Sequence, residues 1–552
     1  MTETPIATAL ESATTPAEPG VGRIVGGLAL SLLSCVLIWV SFPDQGGLYP
    51  LLLVAFVPMY IAQYRVLPRR LSALPMFLAA STYWFPIWVT AWDLIPGQEF
   101  LTYVVSLLFG AVYAVIAIFD RKFSERTGYR WFIVQVPLWW VALDILTQEN
   151  LWAGSNGWLA YRFADATPLI QTVSIVSTPA LTFLALMINA TVALLFLAWI
   201  DRRWPQLTGV PVPARILKWS VVVGIAATAV WVIASLLIYS SLNSRLAQSP
   251  TVRVSAIQPS LEFLSPTAFS NSPAAKEEEE QRRAGQRREF TDMTLEAVGK
   301  GAQLVVWPEE ALSYDPRGPL GRWVAELADR TNSTIVTGFI AEEPVAWPDR
   351  AAPNMSATFG PDGELLGVTY KVHPVLAAGE GAWGGTTPQI YPTFATRFGQ
   401  LGVIVCFDHD FPNGSPRLET LAGAQIIANP SWDWSSISSI RWQSVVFRSV
   451  ENRVPLVKGE AGFDATITDA NGKVMALSDV KESNGKKAVL VADVHLGPRN
   501  APFTVLGGLW LGVLIVLAAI ARYIWQFILW RRGKRAPAYS TQAVDQDVAP
   551  VR

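Results

Sequence analysis

Three apolar, β-branched runs in the second half of this chain each stop at a residue able to do chemistry. Gln303-Leu-Val-Val-Trp-Pro leads into Glu309-Glu310, Leu366-Gly-Val-Thr-Tyr into Lys371, and Leu401-Gly-Val-Ile-Val into Cys406. Strand ends of this kind collect in one cleft in α/β sheets, because the loops leaving the carboxyl edge converge there. A thiol near its reference pKa is scarcely ionised at neutral pH. Glu309 can take its proton as general base and return it to a leaving group. Lys371 can stabilise the oxyanion formed when sulfur attacks a carbonyl, helped by the backbone N–H after Cys406. The expected product is a thioester that a second nucleophile resolves.

Each of these residues also has a plainer reading. A lone cysteine is usually a small core residue, and a strand-terminal glutamate is usually a solvated cap. The combination of base, cation and thiol favours chemistry. His373 is expected to brace Lys371, and His409 to orient a loop. The chain has three histidines, none at metal-ligand spacing, so no metal centre is expected. No glycine-rich phosphate loop is present, and no cofactor is predicted. Trp383, Trp432 and Trp434 are candidates for a lipid portal or lid, with core packing as the alternative.

The elements that position these residues belong to two different solvents. Of 552 residues, 51% are hydrophobic and 16% charged, where a soluble domain carries roughly 25% charged. The excess sits in blocks of membrane-spanning length: residues 24–41, 48–64, 71–92, 99–119, 131–147, 179–200 and 216–240, then 503–521. The stretch 148–178 is too polar to span and reads as a re-entrant or interfacial loop. Paired intramembrane charges, which a transporter would need, are scarce: Asp93 and Asp144 are the obvious ones.

Loop charges predict the orientation. Arg65, Arg69, Arg70, Arg121, Lys122, Arg126, Arg130, Arg202, Arg203, Arg215, Lys218, Arg531, Arg532, Lys534 and Arg535 fall on one side, and Arg162 alone on the other. Both termini are therefore expected in the cytoplasm. The implied organisation is a disordered tail (1–22), seven spans (23–241), an extracytoplasmic domain (242–502), an eighth span (503–530) and a basic tail (531–552). The acidic first 22 residues lack the apolar core of a cleavable signal. Cys35 falls in the first span and Cys406 in the outer domain, so no disulfide between them is expected.

Residues 242–502 have α/β texture. Candidate strands are 252–258, 303–307, 334–340, 366–370, 401–406, 424–428, 454–458, 463–468 and 487–493, with helices at 276–299 and 437–451. The run Lys276-Glu-Glu-Glu-Glu-Gln-Arg-Arg283 reads as a self-paired solvated face. Near-zero net charge gives no sign of nucleic-acid binding.

Trp307-Pro-Glu309, Tyr370-Lys371-Val-His373 and Gly402-Val-Ile-Val-Cys406-Phe-Asp resemble, in that order, the nitrilase (carbon–nitrogen hydrolase) superfamily. With seven spans before and one after, the chain resembles its membrane branch, the apolipoprotein N-acyltransferases. That resemblance implies an α-β-β-α sandwich on the outer face of a bacterial inner membrane, with Glu309 as base, Lys371 as oxyanion partner and Cys406 as nucleophile. It implies a phospholipid acyl donor and, as acceptor, the lipidated N-terminal cysteine of an apolipoprotein; a monomer is expected. Glu380, in Ala377-Ala-Gly-Glu380-Gly, matches the family's second glutamate. Phe407 and Asp408 stand where tyrosine and glutamate are usual, and Glu460-Ala-Gly462 replaces the usual turn after Pro455. These departures leave a membrane-anchored amidase, with water as acceptor, as the alternative.

Overall fold

The computed structural model describes residues 20–89, 100–148, 154–260, 273–340, 354–376, 380, 388–433, 438–478 and 486–535. Each apolar block is helical: α1 (Val21–Trp39), α2 (Tyr49–Val66, irregular around Pro50 and Pro58), α3 (Leu74–Val89), α4 (Phe100–Arg126), α5 (Phe132–Thr147), α6 (Pro179–Arg203), α7 (Ala214–Leu246) and, near the end, α12 (Leu509–Arg535). Six of these are long and apolar enough to cross a bilayer; α3 and α5 are 16 residues each. Close approach of α3 and α4 depends on Gly110, where a Cβ would lie 2.0 Å from Ser81 Oγ, the small-residue contact favoured between membrane helices. The last span begins later than hydropathy alone places it. A short helix, Pro502–Leu506, ends at Gly507 with φ +71°, and α12 starts after that break.

Residues 154–178 are not a loose interfacial loop. They form short helical turns that bond to the α/β domain. Ser155 N–H and Oγ reach the Asp410 carbonyl at 3.0 and 2.6 Å, and Arg453 donates to Gln171 Oε1 and Ser174 Oγ at 2.5 and 2.7 Å. Thr178 donates from N and Oγ1 to Glu451 Oε1 at 3.0 and 2.7 Å. The polarity that keeps this stretch out of the bilayer satisfies buried groups of the second domain.

That domain has two six-stranded sheets. One runs β12-β1-β2-β3-β4-β5 and the other β11-β10-β9-β8-β7-β6. Their strands are β1 (Thr251–Gln258), β2 (Leu304–Val306), β3 (Thr334–Ile340), β4 (Asn354–Phe359), β5 (Leu365–Tyr370), β6 (Thr393–Thr396), β7 (Gly399–Val403), β8 (Ile426–Ser431), β9 (Leu456–Glu460), β10 (Thr466–Thr468), β11 (Val474–Leu477) and β12 (Ala488–His495). Strands β1-β2-β3 and β7-β8-β9 are parallel and the outer pairings antiparallel. Helices α8 (Pro273–Gly299) and α9 (Arg322–Thr331) accompany the first sheet, and α10 (Ser415–Ala422) and α11 (Ser438–Asn452) the second.

Side-chain alternation along the strands builds the layers. Val254, Ala256, Leu304 and Val306 pack against Val403, Ile426, Ala428 and Val457 between the sheets. Their neighbours Ile257 and Val305 face outward onto Phe290 of α8 and Leu327 of α9. On the other side Ile427 and Leu456 meet Val445 of α11. The result is the four-layered α-β-β-α sandwich that the family resemblance implies. Along α8, Glu279 pairs with Arg282 and Arg283 at 2.7 and 2.6 Å, the self-pairing read from that run.

Candidate active site

Glu309, Lys371 and Cys406 come to one place because β2, β5 and β7 all end there. Glu309 lies three residues beyond β2, Lys371 directly follows β5, and Cys406 lies three residues beyond β7. All three are buried. Lys371 Nζ is 2.7 Å from Glu309 Oε1 and 2.7 Å from Glu380 Oε1. Glu380 is tied in turn by the Val375 N–H, which donates to its Oε2 at 2.6 Å. The Cys406 thiol lies near enough to Glu309 for each to shift the other electrostatically, and its Sγ lies 3.9 Å from the Trp432 carbonyl oxygen.

Cys406 has φ +44°, in the left-handed region that a non-glycine residue adopts only under constraint. The turn Cys406–Asp410 that follows is held by Asp408. Its carboxylate accepts from the N–H groups of Val405 (3.1 Å), Val372 (3.2 Å) and His373 (2.9 Å). One side chain therefore fastens the segment after Lys371 to the segment carrying the thiol. His373 does not brace the lysine ammonium; its Nδ1 is 2.8 Å from Asp408 Oδ1, and its ring stacks on Phe411 at 3.7 Å. His409 Nδ1 donates to the Cys406 carbonyl at 2.5 Å, which fixes that turn. Phe407 is buried edge-on to Phe411.

The electrostatics favour a neutral thiol beside a charged clamp. Burial, then the charge of Glu309, pushes the Cys406 pKa well above its ordinary value, with Lys371 opposing. Burial also raises Glu309, partly offset by Lys371. For Lys371, burial works downward, but Glu309, Glu380 and Cys406 together hold it well above its ordinary value. The lysine is thus held cationic and the thiol neutral.

One residue escaped the sequence reading. Asn354 Nδ2 donates to Glu309 Oε1 at 2.6 Å and to Glu380 Oε1 at 3.1 Å. It is the first residue of β4, which runs antiparallel to β3 and so begins at the edge where β3 ends. Its only signal was the weak alternation of Met355-Ser-Ala-Thr-Phe359. Trp432 offers its carbonyl to the thiol while its ring packs against the outer core of the first sheet. Trp383 and Trp434 lie outside the described residues, as does the glycine-rich loop around Trp383.

Behind the Trp432 carbonyl lies a buried ionic cluster. Lys458 Nζ sits 2.5 Å from Asp433, 2.8 Å from Glu460 and 3.0 Å from Asp464. Asp433 also forms an ion pair with Arg441, whose Nε is 3.0 Å away, and Arg441 pairs with Asp410. The three carboxylates around Lys458 are near enough to one another to suggest a cation site, and the ammonium stands at their centre.

Known proteins share both halves of the chain. Residues 34–191 match the family described as apolipoprotein N-acyltransferase N-terminal domain, and residues 279–498 match carbon–nitrogen hydrolase. An apolipoprotein N-acyltransferase of Geobacter metallireducens is 27% identical over 534 residues, covering 89% of this chain and 94% of that protein. Both halves of the chain are thus similar to the two parts of an apolipoprotein N-acyltransferase. Nitrilase relatives match only the sandwich: nitrilase 3 of Arabidopsis thaliana is 26% identical over 37% of this chain and 60% of its own length. A solved amidase of the nitrilase superfamily from Nesterenkonia AN1 aligns with 46% of this chain and 92% of its own at 19% identity and a TM-score of 0.35. The chain is thus a membrane protein of the acyltransferase type, carrying a nitrilase-fold domain.

Proposed function

We propose that this protein moves an acyl chain from a membrane phospholipid to the α-amino group of the lipidated N-terminal cysteine of apolipoproteins, by a ping-pong reaction through Cys406. Glu309 accepts the thiol proton as Sγ bonds to the ester carbonyl carbon. Lys371 and the Phe407 N–H stabilise the oxyanion. Collapse breaks the ester C–O bond, and Glu309 returns the proton to the departing lysophospholipid oxygen. The acceptor amine then attacks the thioester, loses a proton to Glu309 and leaves as an amide, and the thiolate is reprotonated.

The observation that carries this reading is a buried thiol beside a buried carboxylate–ammonium pair in a chain built on membrane helices. A soluble amide needs no such helices, whereas a donor dissolved in the bilayer does. Loop charges support an extracytoplasmic catalytic domain with both termini in the cytoplasm of a bacterium. The protein acts as a monomer in this reading, without metal or cofactor. Glu380 and Asn354 hold Lys371 and Glu309 in register, Asp408 holds the nucleophile turn, and Trp383 and Trp434 are the candidates for the lipid approach.

Incubation of the purified protein with phospholipid labelled in its acyl chain tests the proposal. A hydroxylamine-sensitive label on Cys406, discharged by a diacylated lipopeptide, is expected. Absence of that label, together with release of free acid or ammonia from small amides, would establish hydrolysis instead.

A further inference from the structure

At the end of the membrane helices away from the sandwich lies a second charged cavity. It has a volume of about 560 Å³ and is lined by Arg69, Arg70, Arg121, Lys122, Glu125 and Arg126, with Ile118 and Val210 as apolar wall. Val210 precedes α7, whose far end leads into β1. The 33 residues of that helix put the cavity roughly 50 Å from the sandwich. It is remote from Cys406.

Its charge is unbalanced. Glu125 is already used, accepting from Arg69 at 2.7 Å and Arg121 at 3.1 Å. Arg121 is buried and also donates to the Gln63 carbonyl at 2.5 Å. Arg70, Lys122 and Arg126 are exposed and have no carboxylate partner among the described residues. The cavity therefore holds three uncompensated cations around two fixed ones.

Continuity with α4 says what kind of anion fits. Val104, Leu108, Val115 and Ile118 are all exposed and recur at intervals that keep them on one helix face. Lys122 and Arg126 continue that face at steps of four, so the apolar stripe runs directly into the basic cavity. A free phosphate would use the cavity and ignore the stripe. A phospholipid uses both, chain along the stripe and headgroup among the cations.

We propose that this cavity binds the headgroup of an anionic phospholipid, with an acyl chain lying along the exposed face of α4. Basic pockets between membrane helices recognise lipid phosphates through such charge clusters, and guanidinium groups match phosphate geometry. The site is distinct from the acyl-donor site and does not depend on the catalytic proposal.

The test uses the full-length protein, purified in neutral detergent and stripped of lipid, then titrated with phosphatidylglycerol, phosphatidylcholine or inorganic phosphate. Bound lipid is counted by native mass spectrometry and the unfolding midpoint is recorded. The wild type should retain phosphatidylglycerol at least about tenfold more tightly than Arg70→Gln/Lys122→Gln/Arg126→Gln, and phosphatidylcholine should not distinguish them. Arg70→Lys/Arg126→Lys should keep most of the retention. Should the triple variant fail to fold, Lys122→Glu alone carries the comparison. Equal retention by wild type and variant overturns the proposal, as does inorganic phosphate displacing the lipid at equal concentration.

Discussion

A buried thiol can pass its proton to a buried carboxylate only while that carboxylate is charged, and here the carboxylate's own affinity for protons is raised. Glu309 sits above its ordinary 4.5 because of burial, with Glu380 adding to the effect. In the proposed mechanism the active form is therefore lost as pH falls through a value above 4.5. The acid limb of kcat/KM should lie to the alkaline side of a free glutamate, and a limb at or below 4.5 would remove Glu309 from the role of base. Asn354 refines this. Its amide donates to Glu309 and Glu380 at once, which favours the charged carboxylate. Asn354→Ala should lower kcat about 10- to 100-fold and shift the acid limb to higher pH, with little change in KM for the lipid donor. A purely structural asparagine would leave the limb where it was. Cys406→Ala should abolish turnover and acyl labelling while preserving the unfolding midpoint, because removing one buried sulfur alters little else. Residual turnover in that variant would dismiss Cys406 as nucleophile.

Strand ends are what made this site readable before the fold was seen. Glu309, Lys371 and Cys406 each close an apolar run long enough to recognise, and a parallel sheet delivers such ends to one edge. Strands β4, β6 and β11 are not legible in the sequence, because Asn354–Phe359, Thr393–Thr396 and Val474–Leu477 are short or mix small polar residues with apolar ones. Asn354 was lost with its strand. The Lys458 cluster is equally hidden, since Asp433 follows β8 while Lys458 and Glu460 lie in β9 with Asp464 just beyond, and β8-β9 pairing brings the two segments together. That cluster backs the Trp432 carbonyl, so its energetics reach the thiol. Burial pushes Asp464 up to about 7, Lys458 opposing. A raised carboxyl favours the folded state while protonated, so its contribution is complete below 3.8 and fades as pH rises to about 7. Asp464→Asn, always neutral, should flatten the decline of the unfolding midpoint across that window; an unchanged slope would exclude Asp464 as its source. Lys458→Met leaves buried carboxylates without their cation and should cost about 3–5 kcal/mol, read as a large fall in the same midpoint.

The two halves of the molecule are joined by more than the covalent links at α7 and α12. Hydropathy registers residues 154–178 only as a stretch too polar to span, yet these residues dock onto α11 and the nucleophile turn through Ser155, Gln171, Ser174 and Thr178. The Asp410 carbonyl that receives Ser155 belongs to the turn beginning at Cys406, and the Asp410 carboxylate pairs with Arg441. The membrane half thus bears on the position of the thiol, an arrangement suited to a donor that arrives through the bilayer. Such docking also fixes which end of the helix bundle faces the sandwich, and the basic loops lie at the other end. Arg69, Arg70, Lys122 and Arg126 gather there around one cavity, whereas Arg162, on the sandwich side, is buried and stacks over Phe42 at 5.0 Å. The sandwich should therefore be exported. Lys300 lies in the turn that ends α8, and its side chain is half exposed, so a reporter can be inserted there at the surface. An alkaline phosphatase fused at that point should be active and a fluorescent protein that matures only in the cytoplasm should stay dark, with the reverse pattern after Arg531. Phosphatase activity at the carboxyl terminus and none at Lys300 would invert the orientation and leave Cys406 on the cytoplasmic side.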